Sequence, residues 1–140
     1  MSKQKELPRV LIIEDTEAIQ RSLAFGLKKD AEILQATTLK EAKELLLWCK
    51  NGKKDISVII LDGCIQSGAR FNTLPILKRI FDDGFCGRVI AASGNEMNNE
   101  MMVACNPLQV ITSDRKEKTL ELALNYLARL YRKSNQSCAS

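Results

Sequence analysis

The chain has 140 residues, with 21 Lys and Arg against 17 Asp and Glu, a formal charge of +4, 45% hydrophobic and 27% charged residues. That composition is globular and excludes disordered, collagenous and coiled-coil chains, while the absence of any apolar run near the ~20 residues that cross a bilayer excludes a spanning helix. The opening Met1–Arg9 lacks the apolar core of a secretory signal, so we expect one cytoplasmic domain over residues 1–133 and a polar tail over 134–140, with no membrane partner.

The five cysteines, Cys49, Cys64, Cys86, Cys105 and Cys138, are odd in number and form no CxxC pair. Neither a disulfide framework nor a zinc ribbon is indicated. No histidine is present, which excludes Ser-His-Asp triads, Cys-His dyads and imidazole metal sites. Acid–base or metal chemistry must come from carboxylates, hydroxyls and lysines. The charge is too small to indicate nucleic acid, and a basic last-helix end (Arg129, Arg132, Lys133) suits a helix C-terminus.

Apolar runs and amphipathic stretches alternate five times along the chain. Arg9–Ile13 is rich in branched residues and predicts a buried strand. Ile19, Leu23 and Leu27 form the stripe of a helix over Thr16–Lys29. Ile33–Ala36 is a second, weaker strand. Thr38 and Glu41 have capping-box spacing, and Leu39, Ala42, Leu46 and Cys49 continue a stripe until Asn51-Gly52 ends the helix.

Ile56–Leu61 is the strongest strand signal, apolar enough to be covered on both faces. A polar loop from Asp62 to Arg70 precedes a helix over Asn72–Phe81, whose first turn tolerates Pro75. Arg88–Ala92 is a fourth strand and Asn95–Cys105 a Met-rich helix. Gln109–Thr112 is a fifth strand. A last helix over Lys116–Arg132 turns Leu120, Ala123, Leu124, Leu127, Leu130 and Tyr131 inward. Five strand–helix units of this length predict an α/β fold, a doubly wound parallel sheet in the flavodoxin-like order 2-1-3-4-5.

In such sheets the ligand lies beyond the carboxyl ends of the strands where their order reverses, between the first and third. The first strand ends in Glu14-Asp15 and the third in Asp62, so three acids meet in one crevice. Like charges this close repel unless a cation or proton offsets them. Mg²⁺ is the economical cation, since it takes oxygen ligands and needs few carboxylates when a phosphate completes its shell. A carboxylate beside Mg²⁺ serves as a nucleophile that forms an acyl phosphate, and phosphoryl transfer needs positioning more than acid–base groups. Each acid also has a structural reading. Glu14-Asp15 favours a helix start, Asp62 a turn, and Ser93 or Asp114 a helix cap with Glu96 or Glu117.

Val10-Leu-Ile-Ile-Glu-Asp15, Val58-Ile-Ile-Leu-Asp62 and Val89-Ile-Ala-Ala-Ser93 together resemble the receiver domain of two-component response regulators, over about Pro8 to Arg132. The resemblance implies Mg²⁺ held by Glu14, Asp15, Asp62 and the backbone carbonyl of Cys64. It implies Asp62 as phosphoacceptor, and the Ser93 hydroxyl as the group that swings to the phosphoryl. It also implies a histidine kinase or phosphotransfer protein as donor and a downstream protein as partner, reached through the fourth helix, fifth strand and fifth helix. We expect no direct contact with nucleic acid, and a domain that is an acceptor rather than a turnover enzyme.

The departures lie in the switch. Ser113-Asp114 stands where the family has Lys-Pro, and serine cannot supply a fixed positive charge to a phosphate; Arg115 and Lys116, at the start of the last helix, are expected to face solvent rather than reach in. Val110 stands where an aromatic is usual. Gln66 and Arg70 replace a proline and a glycine in the loop after Asp62.

Two functions follow: phosphorylation at Asp62 with unconventional signalling, or a degenerate receiver that binds partners regardless of phosphorylation. Other classes fit less well. A nucleotide or flavin module needs a glycine- or hydroxyl-rich cradle after the first strand, where Glu14–Ala18 presents acid, and an aspartate-nucleophile phosphatase needs a second acid at Cys64. The chain either stands alone or is cut from a longer protein.

Overall fold

The structure, a computed structural model, describes residues 7–65, 72–112 and 118–138, and of 134–138 the backbone alone. Gln66, Arg70, Ser113, Asp114, Arg115, Lys116 and Glu117 therefore lie outside the described residues, as does the side chain of Cys138. Five strands alternate with five helices: β1 (Arg9–Ile13), α1 (Glu17–Leu27), β2 (Glu32–Ala36), α2 (Leu39–Asn51), β3 (Val58–Leu61), α3 (Leu74–Asp82), β4 (Arg88–Ala91), α4 (Glu96–Cys105), β5 (Val110–Thr112) and α5 (Thr119–Cys138). The strands pair in parallel in the order β2-β1-β3-β4-β5, the predicted α/β architecture.

The central strands β1, β3 and β4 are almost wholly apolar because each face has its own cover. Side chains alternate across a strand. Leu11, Ile13, Ile59, Leu61, Val89, Ala91 and Val110 share one core with Ala42 of α2, Ile76, Leu77 and Ile80 of α3 and Met102 of α4. Val10, Ile12, Val58, Ile60 and Ile90 face the other way, onto Leu23 and Leu27 of α1 and Ala123 and Leu127 of α5. Fully burying one aliphatic side chain contributes about 1.5–3 kcal/mol, so this two-sided packing fixes the register and hence which strand ends lie together.

Local signals account for most element boundaries. The Thr38 hydroxyl accepts from the Glu41 amide at 3.1 Å, as its spacing predicts. The Glu41 carboxylate returns to the residue before, accepting from the Thr37 hydroxyl at 2.7 Å and the Thr37 amide at 3.2 Å. Those bonds favour the ionised form and hold the Glu41 carboxyl below its ordinary pKa. Pro75 sits in the first turn of α3.

Five expectations need correction. The third strand starts at Val58 rather than Ile56, and α3 at Leu74 rather than Asn72. The cap of α4 is Asn95, whose side chain accepts from the Met97 and Asn98 amides, and not Ser93. Tyr131 is 64% exposed, because the buried stripe of α5 runs through Ala123 and Leu127 and passes beside it. Finally, α5 continues as helix past Arg132 to Cys138, through the stretch expected to be a tail. Among the described residues no helix is long and apolar enough to cross a membrane.

Candidate functional site

The sheet ladder places the acids. The Glu14 amide donates to the Ala36 carbonyl at 3.1 Å, and the Asp62 amide to the Ile13 carbonyl at 3.0 Å. Both residues thus continue the hydrogen-bonding of β1 and β3 for one step beyond the strands, at the point where the chain order reverses. The Glu14, Asp15 and Asp62 carboxylates each offer an oxygen, and these oxygens all lie within 4.8 Å of one another. Glu14 and Asp62 are buried, at 2% and 7% exposure, whereas Asp15 is half-buried. Oxygen donors this close suit a hard divalent cation of the Mg²⁺ class, whose demand for oxygen ligands they meet without sulfur or nitrogen.

Gln20, which the apolar pattern of α1 does not single out, anchors the first part of this site. It is buried at 2% exposure, one position off the Ile19–Leu23–Leu27 stripe. Its amide nitrogen donates to the carbonyls of Ile12 at 3.0 Å, Glu14 at 2.9 Å and Ala36 at 2.9 Å. Its oxygen accepts from the Gln35 amide group at 3.1 Å. One side chain therefore ties the ends of β1 and β2 together at the backbone of Glu14.

The loop after Asp62 is pinned from its far side. The Asn72 side chain accepts from the Ile65 amide at 2.9 Å and donates to the Ile65 carbonyl at 2.8 Å. The Thr73 hydroxyl donates to the Gly63 carbonyl at 3.0 Å. Gly63 is required by close approach: a Cβ there would lie 2.9 Å from Ser93 Oγ, 3.0 Å from Ser93 Cβ and 3.1 Å from Asn98 Cβ. The hydroxyl of Ser93, 8% exposed, thus lies against the residue that follows Asp62. The fold brings Glu14, Asp15 and Asp62 together and sets Ser93 against Gly63, the residue between Asp62 and Cys64.

Asparagines of α4, also absent from the sequence expectations, fix Ser93. Asn99 accepts from the Ser93 amide at 2.9 Å and donates to the Ser93 carbonyl at 2.9 Å, a two-point clasp by a buried residue. Asn99 lies three residues before the fully buried Met102, on the inward face of α4, and that spacing is the signal that could have revealed it. Val110, 1% exposed, opens β5 in register with Val89 of β4.

No protein-family model and no curated protein matches this sequence. Solved structures do match in shape. The signal receiver domain of a Luxo repressor protein from Vibrio parahaemolyticus is 17% identical with a TM-score of 0.65, covering 91% of this chain and 95% of that one. The fold is that of a response-regulator receiver domain. A Francisella response-regulator receiver domain is similar at 18% identity and a TM-score of 0.63, covering 91% of this chain and 98% of that one. A response regulator from Burkholderia pseudomallei, solved with a phosphorylated aspartic acid and a calcium ion, is similar at 17% identity and a TM-score of 0.63, covering 93% of this chain and 74% of that one. In receiver terms, the acid cluster of the present chain occupies the sheet edge where β1 and β3 end.

Proposed function

We propose that this receiver domain accepts a phosphoryl group on Asp62 from a phosphohistidine of a partner histidine kinase or phosphotransfer protein, and passes the signal to a downstream protein by contact. The observation that carries this is the approach of three carboxylates within 4.8 Å at the switch point of the sheet. As turn formers or helix caps alone, Glu14, Asp15 and Asp62 would have no reason to share one crevice, because their mutual repulsion is unfavourable.

In the reaction, a carboxylate oxygen of Asp62 attacks phosphorus. The P–N bond to the donor imidazole breaks, and a P–O bond of an acyl phosphate forms. Glu14, Asp15, Asp62 and the Cys64 carbonyl are the groups that would hold Mg²⁺, which when bound neutralises charge on the phosphoryl oxygens. Ser93 offers its hydroxyl proton to one of those oxygens. Gln20 and Asn99 keep the two halves of the site in place, and loss of such supporting geometry lowers phosphoryl-transfer rates. The domain is an acceptor and not a turnover enzyme, and it works in the cytoplasm without contacting nucleic acid itself.

Val110 favours a second function. With no ring in β5 to rotate, a movement of Ser93 has lost its usual reporter, and surface contact independent of phosphorylation becomes the alternative. Incubation with acetyl phosphate and Mg²⁺, followed by intact-mass measurement, separates the two. One added phosphoryl group, absent in Asp62→Asn, supports phosphorylation; no mass gain in the unmutated chain assigns it to the interaction module.

A further inference from the structure

We infer that Asn98, on the first turn of α4, couples the state of the Asp62 site to α4 in place of the missing aromatic. This rests on the phosphoacceptor function proposed for Asp62. The side-chain nitrogen of Asn98 faces two loops at once, 3.5 Å from Ser93 Oγ and 3.7 Å from Cys64 Sγ. Its Cβ lies 3.1 Å from where a Cβ on Gly63 would be, so the side chain is packed on the backbone that leads out of Asp62. The Asn98 backbone amide is in turn held by the Asn95 cap at 3.3 Å. A single half-buried residue therefore joins the β3–α3 loop, the β4–α4 loop and the start of α4.

The bonds of Ser93 determine what moves. Its backbone is clasped at both the amide and the carbonyl by Asn99, each at 2.9 Å, so its freedom is confined to side-chain rotation. Its oxygen now accepts from the Asn95 amide at 3.1 Å and from Asn98. When that hydroxyl turns to a phosphoryl group on Asp62, both acceptor bonds are given up. The exposed Asn95 amide regains a partner in water. Among the described residues the half-buried Asn98 amide then keeps only the Cys64 sulfur, a weak acceptor, and must readjust against Gly63. A partly buried donor that loses its acceptor is unfavourable enough to shift a helix turn. The turn that shifts bears Met97, 68% exposed, and leads into Met101 one turn on, 46% exposed, so the change reaches the surface of α4 without passing through β5. Asn98 is thus a positioning residue, which touches Ser93 and not the phosphoryl group.

The test compares the full chain with Asn98→Ala and Asn98→Leu, using acetyl phosphate with Mg²⁺ as phosphodonor, intact mass as the readout of chemistry and α4 amide shifts as the readout of coupling. In the unmutated chain, phosphorylation is expected to move the amides of Met97 to Met101. Both variants are expected to gain the phosphoryl group while losing that movement. Movement retained in Asn98→Ala overturns the proposal. Movement retained in Asn98→Leu alone overturns the hydrogen-bond mechanism and leaves coupling to packing on Gly63. Loss of the mass gain in the variants places Asn98 in the phosphoryl chemistry and also overturns it. No mass gain in the unmutated chain is a different failure, that of the phosphoacceptor function itself, and removes the coupling with it.

Discussion

Gln20→Met removes the amide that ties β1 to β2 while keeping the length of the side chain. In the native chain that amide serves the carbonyls of Ile12, Glu14 and Ala36 at 2.9–3.0 Å. The Ala36 carbonyl keeps the Glu14 amide at 3.1 Å, so the loss falls on the other two. Removing the donor from a buried acceptor costs about 1–3 kcal/mol, giving about 2–4 kcal/mol when two partly served acceptors are affected. Burial of a thioether in place of an amide offsets roughly 1 kcal/mol. The net destabilisation is about 1–3 kcal/mol, which for a domain of this size lowers Tm by about 3–9 °C. Because the Glu14 backbone loses its tether, divalent-cation affinity is expected to fall about tenfold, as when a supporting partner of a metal ligand is removed. Thermal unfolding by circular dichroism and Mg²⁺ titration by amide shifts measure the two effects. A Tm within about 2 °C of the unmutated chain, with unchanged cation affinity, would refute the role assigned to Gln20.

Two further outcomes follow from the same geometry. Gly63→Ala places a methyl 2.9–3.1 Å from Ser93 and Asn98; Ser93 cannot retreat while Asn99 holds it, so overpacking is expected to cost about 1–3 kcal/mol in urea unfolding, and an unchanged midpoint would show that the loop yields. Glu41 bonds the Thr37 hydroxyl and amide, which lowers its folded pKa. Its contribution to stability is therefore complete above the unfolded value and lost as pH falls through the folded one. A carboxyl-carbon NMR titration should place the midpoint below the ordinary carboxylate value, and Thr37→Val should raise it; no change on that substitution would contradict the assigned bond.

The fold was legible because its apolar runs are short, branched and regularly spaced, and Val58–Leu61 could not be so apolar unless covered on both faces. The acid site was legible for the same reason: once the strand order is known, Glu14, Asp15 and Asp62 have only one edge to share. The supporting polar residues were not, since a buried Gln20 or Asn99 looks the same in sequence as an exposed one until its carbonyl partners are in place. Tyr131 misled in the opposite direction. It follows the half-buried Leu130 of α5 and fits a loose stripe, yet the helix turns it to solvent. The spacing of Ser93 and Glu96 suggested Ser93 as a cap, whereas Asn99 clasps the Ser93 backbone in the loop and Asn95 caps α4.

The most direct measurement concerns the cation pocket. Mn²⁺ takes oxygen ligands of the same kind as Mg²⁺ and broadens nearby amide resonances. Broadening centred on Glu14, Asp15 and the Asp62–Cys64 loop, displaced by excess Mg²⁺ and abolished by Asp15→Asn, is the predicted result. Broadening centred elsewhere, or undiminished in Asp15→Asn, would mean that the three carboxylates do not act as one site.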